Sequence, residues 1–447
     1  MIHKFKFKEL NIVMDINSGA IHIVSDMVYD ILDFYPDEPK EAVISQLSNK
    51  YSPTSINDAF DEIEALKQNG MLFSDDDQIT TEMLEGRGPV IKAMCLHVAH
   101  DCNMRCKYCF GDAGAFEGQR SLLSFETGKK AIDFLLTHSG TRHNLEIDFF
   151  GGEPLMNFDV VKQLVAYGRE AEKAYGKNIR FTITTNGLLL DEEKRDFINA
   201  NMENVILSID GRPEVNDRMR RTPNDKGTYS LIIKNYLDFV KEREGTYYVR
   251  GTFTRDNLDF AEDVKHLADL GFRNISVEPV VTDPSLGYAL REKDLPRIFE
   301  EYERLADLYL QYAMEGKPFE FFHFNVDLEQ GPCVYKRIAG CGAGTEYVAV
   351  TPEGDIYPCH QFVGNPDFLL GNVWDDAFEN KLFEDFNKAH IYNKEKCKSC
   401  WAKFYCSGGC HANAYNMNGT ISVPYEMGCE MEKKRLECAI GIRAALA

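Results

Sequence analysis

Cys102, Cys106 and Cys109 lie in the run Asp101-Cys-Asn-Met-Arg-Cys-Lys-Tyr-Cys-Phe110. Three thiolates at C-x3-C-x2-C spacing on one tight loop can hold three irons of a [4Fe–4S] cube. Cys95, the other cysteine close in sequence, precedes the loop inside an apolar run. A structural cluster normally closes all four positions with Cys. An iron left open to an external ligand is what a catalytic cluster needs, by the logic that separates open from closed zinc sites. The competing readings are a zinc knuckle, for which four ligands are the norm, and three unrelated thiols.

A second motif, Gly151-Gly152-Glu153-Pro154, follows the apolar alternation Leu145–Phe150. Two glycines let the backbone approach a ligand closely. A glutamate at a strand end can accept hydrogen bonds from a cationic amino group. The third group is C-terminal: Cys341, then Gly354-Asp-Ile-Tyr-Pro-Cys359, then Cys397-x2-Cys400-x5-Cys406-x3-Cys410, and Cys429. Seven cysteines at such regular spacings read as metal ligands, either for iron–sulfur clusters or for two zinc sites. Cys95 and Cys438 fall in apolar contexts and read as core.

The elements that must position these residues divide the 447-residue chain into three stretches. Residues 1–88 read as a small module. Lys4–Met14 and Ala20–Ser25 form two strands joined through Asn17-Ser18-Gly19. Ser25 caps a first helix, a second begins at Pro39, and a third carries Ile56, Phe60, Ile63 and Leu66 and stops at Gly70. Met71–Ser74 returns as a strand. A hairpin plus three short helices suggests a winged helix-turn-helix. Residues 1–90 hold 17 Asp and Glu against 7 Lys and Arg, a balance that opposes phosphate binding. A peptide added as a strand to the sheet edge fits better; the bland reading is a structural appendage. Glu82–Pro89 is the linker.

Residues 89–316 alternate strand and helix. The strands are Lys92–Val98, Leu145–Phe149, Arg180–Thr184, Asn204–Ile209, Tyr247–Phe253 and Asn274–Val280, with amphipathic helices such as Gly128–Leu136, Val160–Ala174 and Leu258–Leu270 between them. Six βα units predict a parallel α/β domain, an open sheet or a partial barrel, with ligand sites at the C-terminal strand ends. In residues 317–447 cysteine becomes dense and periodicity fades, as in a region stapled by metal.

The formal net charge of −21 gives no general attraction to nucleic acid or to an anionic membrane. No apolar run approaches the length of a spanning helix, and the N-terminus lacks the apolar stretch of a signal peptide. A cytoplasmic protein is expected, and its 13 cysteines are not a disulfide scaffold.

C-x3-C-x2-C followed one strand later by Gly-Gly-Glu-Pro resembles the radical S-adenosylmethionine (SAM) superfamily. The resemblance implies a partial (β/α)6 barrel and a [4Fe–4S] cluster whose open iron binds the amino and carboxylate groups of SAM. It implies that Tyr108 and Phe110 lie near the adenine and that Gly151, Gly152 and Glu153 meet the methionine amino group. Ser208-Ile-Asp210-Gly211 would lie near the ribose or methionine end. Thr185-Asn186-Gly187 and Arg250 are further contacts; for Thr185 and Asn186 turn chemistry is the competing role. The C-terminal cysteine spacing resembles the SPASM domain of radical SAM peptide-modifying enzymes. That resemblance implies two auxiliary [4Fe–4S] clusters, three in all. Cys397, Cys400, Cys406 and Cys429 would close the outer one. Cys341, Cys359 and Cys410 would hold the inner one, completed by Cys333 or left open to a substrate thiolate.

One SPASM branch, the formylglycine-forming sulfatase maturases, typically carries Asp after the cysteine matching Cys359; this chain has His360. The N-terminal module resembles a RiPP recognition element. The whole arrangement looks most like thioether-forming SCIFF maturases. That likeness implies a Cys-rich ribosomal precursor peptide held by its leader, SAM cleavage to a 5′-deoxyadenosyl radical, hydrogen abstraction from an acceptor residue and carbon–sulfur bond formation. It also implies a reductant such as flavodoxin or ferredoxin. Carbon–carbon cross-linking, formylglycine formation and quinone-cofactor formation are rival chemistries. A non-catalytic iron–sulfur carrier and a zinc-dependent adaptor are rivals of another class.

Overall fold

The computed structural model describes residues 1–76, 88–116, 118–328, 334–375 and 380–447. Most of the expected linker, Glu82 to Arg87, and Cys333 lie outside the described residues.

The chain opens with an antiparallel sheet in the order β1 (Ile2–Phe7), β2 (Leu10–Asp15), β3 (Ile21–Val24). The single strand expected over Lys4–Met14 is therefore two strands, paired Phe7 to Leu10 across Lys8-Glu9. Lys8 takes the left-handed conformation at φ 53°, a turn with no Gly, Asn or Asp to announce it. Three helices follow: α1 (Asp26–Ile31) capped by Ser25, α2 (Lys40–Leu47) after Pro39, and α3 (Pro53–Gln68) capped by Ser52. Met71–Ser74 is not a strand. The Ser74 N–H donates to Asp15 Oδ2 at 3.1 Å and its carbonyl accepts from Asn17 at 2.8 Å, so side chains take the groups a ladder would use.

The sheet is apolar on both faces. Val13 faces the module's own core with Ile31, Val43, Ile56, Phe60 and Ile63. Phe5, Phe7, Ile12 and Met14 face the main core. A Cβ on Gly441 of the C-terminal helix would lie 2.2 Å from the Phe7 ring, so that glycine is what lets the hairpin seat there.

The main sheet has ten strands in the order β10-β9-β8-β7-β6-β5-β4-β11-β12-β13. Its centre is six parallel strands in unbroken chain order: β4 (Ala93–Ala99), β5 (Asn144–Gly151), β6 (Asn178–Thr185), β7 (Asn204–Ser208), β8 (Thr246–Phe253) and β9 (Asn274–Pro279). Sequential order without reversal is the winding of a barrel wall, not of a doubly wound sheet. The wall stays open. β10 (Glu320–Phe321) extends one edge, and β11 (Tyr347–Val350), β12 (Asp355–Tyr357) and β13 (Gly371–Asn372) extend the other. The C-terminal region thus continues the sheet beside β4.

Helices α4 (Phe125–His138), α5 (Phe158–Tyr175), α6 (Glu192–Asn201), α7 (Pro213–Met219), α8 (Tyr229–Glu242), α9 (Phe260–Asp269) and α10 (Leu295–Met314) fill the connections. Strand alternation sorts the two faces. Leu145, Ile147 and Phe149 of β5 are buried in the core shared with the helices, and Glu146, Asp148 and Phe150 point to the opposite, inner face. The last region carries α11 (Val334–Ala339), α12 (Asn380–Lys388), α13 (Glu395–Lys398), α14 (Lys403–Cys406), α15 (His411–Asn418) and α16 (Glu426–Leu446). No helix among the described residues is long and apolar enough to cross a membrane.

Candidate active site and metal centres

The Cys102–Cys109 loop leaves the C-terminal end of β4 and is clamped by the turn after β5. Gly152 N donates to the Ala99 carbonyl at 2.8 Å and Glu153 N to the Asp101 carbonyl at 2.9 Å. A Cβ at Gly151 would stand 2.3 Å from the Ala99 oxygen, and one at Gly152 would stand 2.1 Å from the Asp101 oxygen. The close approach that requires both glycines is therefore to the cysteine loop's own backbone.

Glu153 is fully buried. Its Oε1 accepts from Thr185 Oγ1 at 2.7 Å and Leu155 N at 3.1 Å, and its Oε2 from Asn186 N at 2.7 Å. Burial pushes the carboxyl up to about 7, against the pull of these donors. Among the described residues no cation forms an ion pair with it, and Arg220 acts on it only from a distance, so an ammonium group placed beside it would be its direct counter-charge. Asn186 then reaches the loop: its Nδ2 donates to Asn103 Oδ1 at 2.7 Å and points at Cys102 Sγ at 3.6 Å. Glu153, Thr185, Asn186 and Cys102, from three strand ends, form one contiguous network.

A second network holds the other side of the loop. Tyr108 Oη is 2.8 Å from each Asp210 carboxylate oxygen, and Arg220 Nη1 donates to the Tyr108 oxygen at 3.1 Å. Asp210 is fully buried and raised to about 6 by burial. Arg220 was not singled out from the sequence. It lies in the segment whose Met219 and Arg221 carbonyls accept from Lys107 N and Arg105 N, and nothing in its local sequence marks it. Ser208 and Arg250 face each other in the β7–β8 register. Arg250 Nε donates to Glu278 Oε1 at 3.0 Å. Asp148 shares this inner face, accepts from Thr182 at 2.9 Å, and is raised to about 7 by burial. Its polar register within an apolar alternation was the available signal.

Phe110 is 53% exposed beside Cys109, and its ring centroid lies 5.4 Å from that of His360, beside Cys359. The N-terminal and C-terminal cysteine groups thus meet across one aromatic contact. Burial holds His360 down at about 4, so the ring is neutral.

Fit to iron–sulfur centres follows from the donors. Burial drives the Cys102 thiol up to about 12 and Cys106 up to about 11. Such thiols ionise when a bound cation supplies the compensating charge. Cys397, Cys400, Cys406 and Cys429 together line a cavity of about 250 Å³, and Cys406 and Cys429 are likewise raised by burial, to about 11. Cys359, raised by burial, is also close enough to Cys410 and Cys341 to feel their charge. Among the described residues no three His, Cys, Asp or Glu side chains converge as ligands of one metal ion. Cys95 and Cys438 are buried in the core, as read from the sequence.

Two family models match: the radical SAM superfamily over residues 96–235 and the SPASM iron–sulfur cluster-binding domain over residues 341–401. Residues 96–235 thus form a radical SAM domain and residues 341–401 a SPASM domain, and the chain is an enzyme. It is 24% identical to the cysteine-type anaerobic sulfatase-maturating enzyme of Clostridium novyi (strain NT), over 70% of this chain and 86% of that one. Among solved structures it is similar to native anSMEcpe with bound AdoMet: TM-score 0.65, 20% identity, 79% of this chain and 99% of that one. It is also similar to Streptococcus suis SuiB bound to precursor peptide SuiA: TM-score 0.53, 15% identity, 96% and 98% covered. The radical SAM and SPASM domains imply iron–sulfur clusters and SAM as cofactors.

Proposed function

We propose that this radical SAM/SPASM enzyme is a SCIFF-type maturase that forms intramolecular thioether cross-links in a Cys-rich ribosomal precursor peptide. The observation that supports the reading is the Phe110–His360 contact, which sets the residue after Cys109 against the residue after Cys359. Residues 1–88 would act as a winged-helix leader-recognition module, 89–316 as the radical barrel, and 317–447 as the SPASM domain. Three [4Fe–4S] clusters and a reductant such as flavodoxin or ferredoxin complete the reading, in a cytoplasmic protein.

Cys102, Cys106 and Cys109 would hold the catalytic cluster, Cys397, Cys400, Cys406 and Cys429 the outer auxiliary one, and Cys341, Cys359 and Cys410 the inner one. When bound, the catalytic cluster and SAM supply the electron and the carbon radical that this chemistry needs. The protein's own residues bind and orient. Glu153 would receive the SAM amino group as a charge-assisted partner, kept in place by Thr185 and Asn186. Tyr108 is fixed by Asp210 and Arg220, so its ring is a rigid wall beside the loop. Phe110 and Phe150 both pack on the His360 ring between the two cysteine groups, an aromatic wall for a substrate side chain to lie against. A thioether replaces one C–H and one S–H by one C–S bond: the hydrogen atom on carbon would leave to the 5′-deoxyadenosyl radical, the thiol proton to a base, and the one surplus electron to the cluster that Cys341, Cys359 and Cys410 would hold. Asp148, facing the same lumen and titrating near neutrality, is suited to take the thiol proton on its carboxylate oxygen.

The peptide reading also rests on β3. It is an edge strand with Ile23 55% exposed, beside a cleft of about 660 Å³ lined by Ile21, Ile23, Val326, Leu328, Ile440 and Ala444. A leader added along this edge would gain main-chain hydrogen bonds and side-chain pockets together. The test is anaerobic turnover with a neighbouring Cys-rich precursor peptide. Thioether formation removes two hydrogens per cross-link with no oxygen gained, and consumes one free thiol. A product that keeps all its thiols would sink the reading in favour of carbon–carbon linkage.

A further inference from the structure

Two lysines of the SPASM domain are almost wholly removed from solvent, and they are neutralised differently. Lys403 Nζ lies 2.7 Å from the Asp76 carboxylate. Lys394 is 1% exposed, and its Nζ donates to the Gly408 carbonyl at 2.8 Å. It sits against both cysteine groups: its carbonyl accepts from Cys397 N at 2.9 Å, and the Gly408 that receives its ammonium lies between Cys406 and Cys410 in the chain; the thiols Cys397, Cys406, Cys410 and Cys429 are close enough to act on its charge. A buried ammonium with one carbonyl partner is a costly arrangement unless an anion lies close.

Gly408 supports the placement. It sits at φ +86°, and a Cβ there would lie 3.5 Å from the Lys394 nitrogen. His411, next to Cys410, is also buried, and its Nδ1 has no hydrogen-bond partner among the described residues. Among the described residues no carboxylate pairs with Lys394.

We propose that the Lys394 ammonium is a fixed positive charge shared by the two C-terminal iron–sulfur centres, raising the reduction potential of both. The inference rests on the reading that each cysteine group holds a cluster. Reduction adds a negative charge to a cluster, so a nearby buried cation favours the reduced form of each.

The experiment is an anaerobic redox titration, followed by electron paramagnetic resonance, of the reconstituted full-length enzyme and its Lys394→Met and Lys394→Arg variants. In Lys394→Met both C-terminal couples should move to lower potential by at least a tenfold change in their redox equilibrium, ~59 mV for one electron. The Cys102/Cys106/Cys109 couple should stay in place, and Lys394→Arg should retain the native values. C-terminal clusters present in Lys394→Met with unmoved couples overturn the proposal and leave the cluster assignment intact. Only one C-terminal couple in the native enzyme overturns both. If Lys394→Met fails to load clusters while Lys394→Arg loads them at native potentials, the charge is required and the proposal stands. If neither variant loads, the side chain acts by shape and the proposal falls.

Discussion

Glu153 and Asn186 come from turns at the ends of neighbouring strands, and their contact runs backbone to side chain: Asn186 N donates to Glu153 Oε2 at 2.7 Å. The Asn186 side chain then turns the other way, toward Asn103 and Cys102. The carboxylate thereby reaches the cysteine loop through a neighbour that also satisfies it. A change at Glu153 should be felt as a loss of cofactor affinity more than of cluster assembly.

Glu153→Gln is expected to weaken SAM binding by about ten-fold or more, the scale of one charge-assisted hydrogen bond, while iron and sulfide contents hold. Equilibrium binding of SAM to the reconstituted enzyme measures this directly. Unchanged affinity would reduce Glu153 to a structural acceptor for Thr185, Leu155 and Asn186.

The contribution of three buried carboxyls to the stability of the metal-free protein should fall as pH rises from about 5 to about 8, against an opposite contribution from His97, His100, His360 and His411, which burial holds neutral in the fold. Asp148 and Glu153 titrate near 7 and Asp210 near 6, all raised by burial. Over that window the folded chain holds protons that the unfolded chain has released. The contribution is full below the ordinary carboxyl range and is lost through the raised values. Urea midpoints of the native chain and of Asp148→Asn across pH isolate one carboxyl: the variant should gain stability relative to the native chain as pH rises through about 7. A difference that does not change with pH would contradict the assignment.

Replacing Cys102, Cys106 and Cys109 together by Ala should abolish 5′-deoxyadenosine formation and lower the iron content by about one cluster's share, leaving the C-terminal centres. Persistent 5′-deoxyadenosine from the triple variant would show that the catalytic site lies elsewhere.

Phe110→Ala should lower cross-linking further than it lowers SAM cleavage, because the wall that orients the substrate between Cys109 and Cys359 is lost along with any adenine contact. The ratio of 5′-deoxyadenosine to modified peptide should rise by about an order of magnitude, within the range of positioning losses. Equal losses in both products would place Phe110 in cluster support instead.

Deleting residues 1–88 is a poor test of leader binding, because it would bare the face of α16 on which Phe7 packs. Ile23→Glu on the exposed edge of β3 is the cleaner change. Modification of micromolar full-length precursor should drop several-fold, with turnover of millimolar leaderless peptide retained, since tethering acts through effective concentration. Equal effects on both substrates would argue for a structural role for the edge.

Local spacing determined much of this protein. The three cysteine groups, the Gly-Gly-Glu-Pro turn, the six apolar strands and the Ser25 cap are short-range patterns, written by ligand reach, by the two-residue period of strands and by orphan N–H groups at helix starts. Their meaning survives without knowledge of the remaining chain. Tertiary structure alone decided which patterns meet. That β11 lies beside β4, and so brings His360 to Phe110, depends on packing between segments some 250 residues apart in sequence. The glycines' real neighbour, the burial of Arg220 and the solitary seat of Lys394 were equally invisible. Arginine and lysine are exposed by default, and only the surrounding walls turn one into a buried charge in need of a partner.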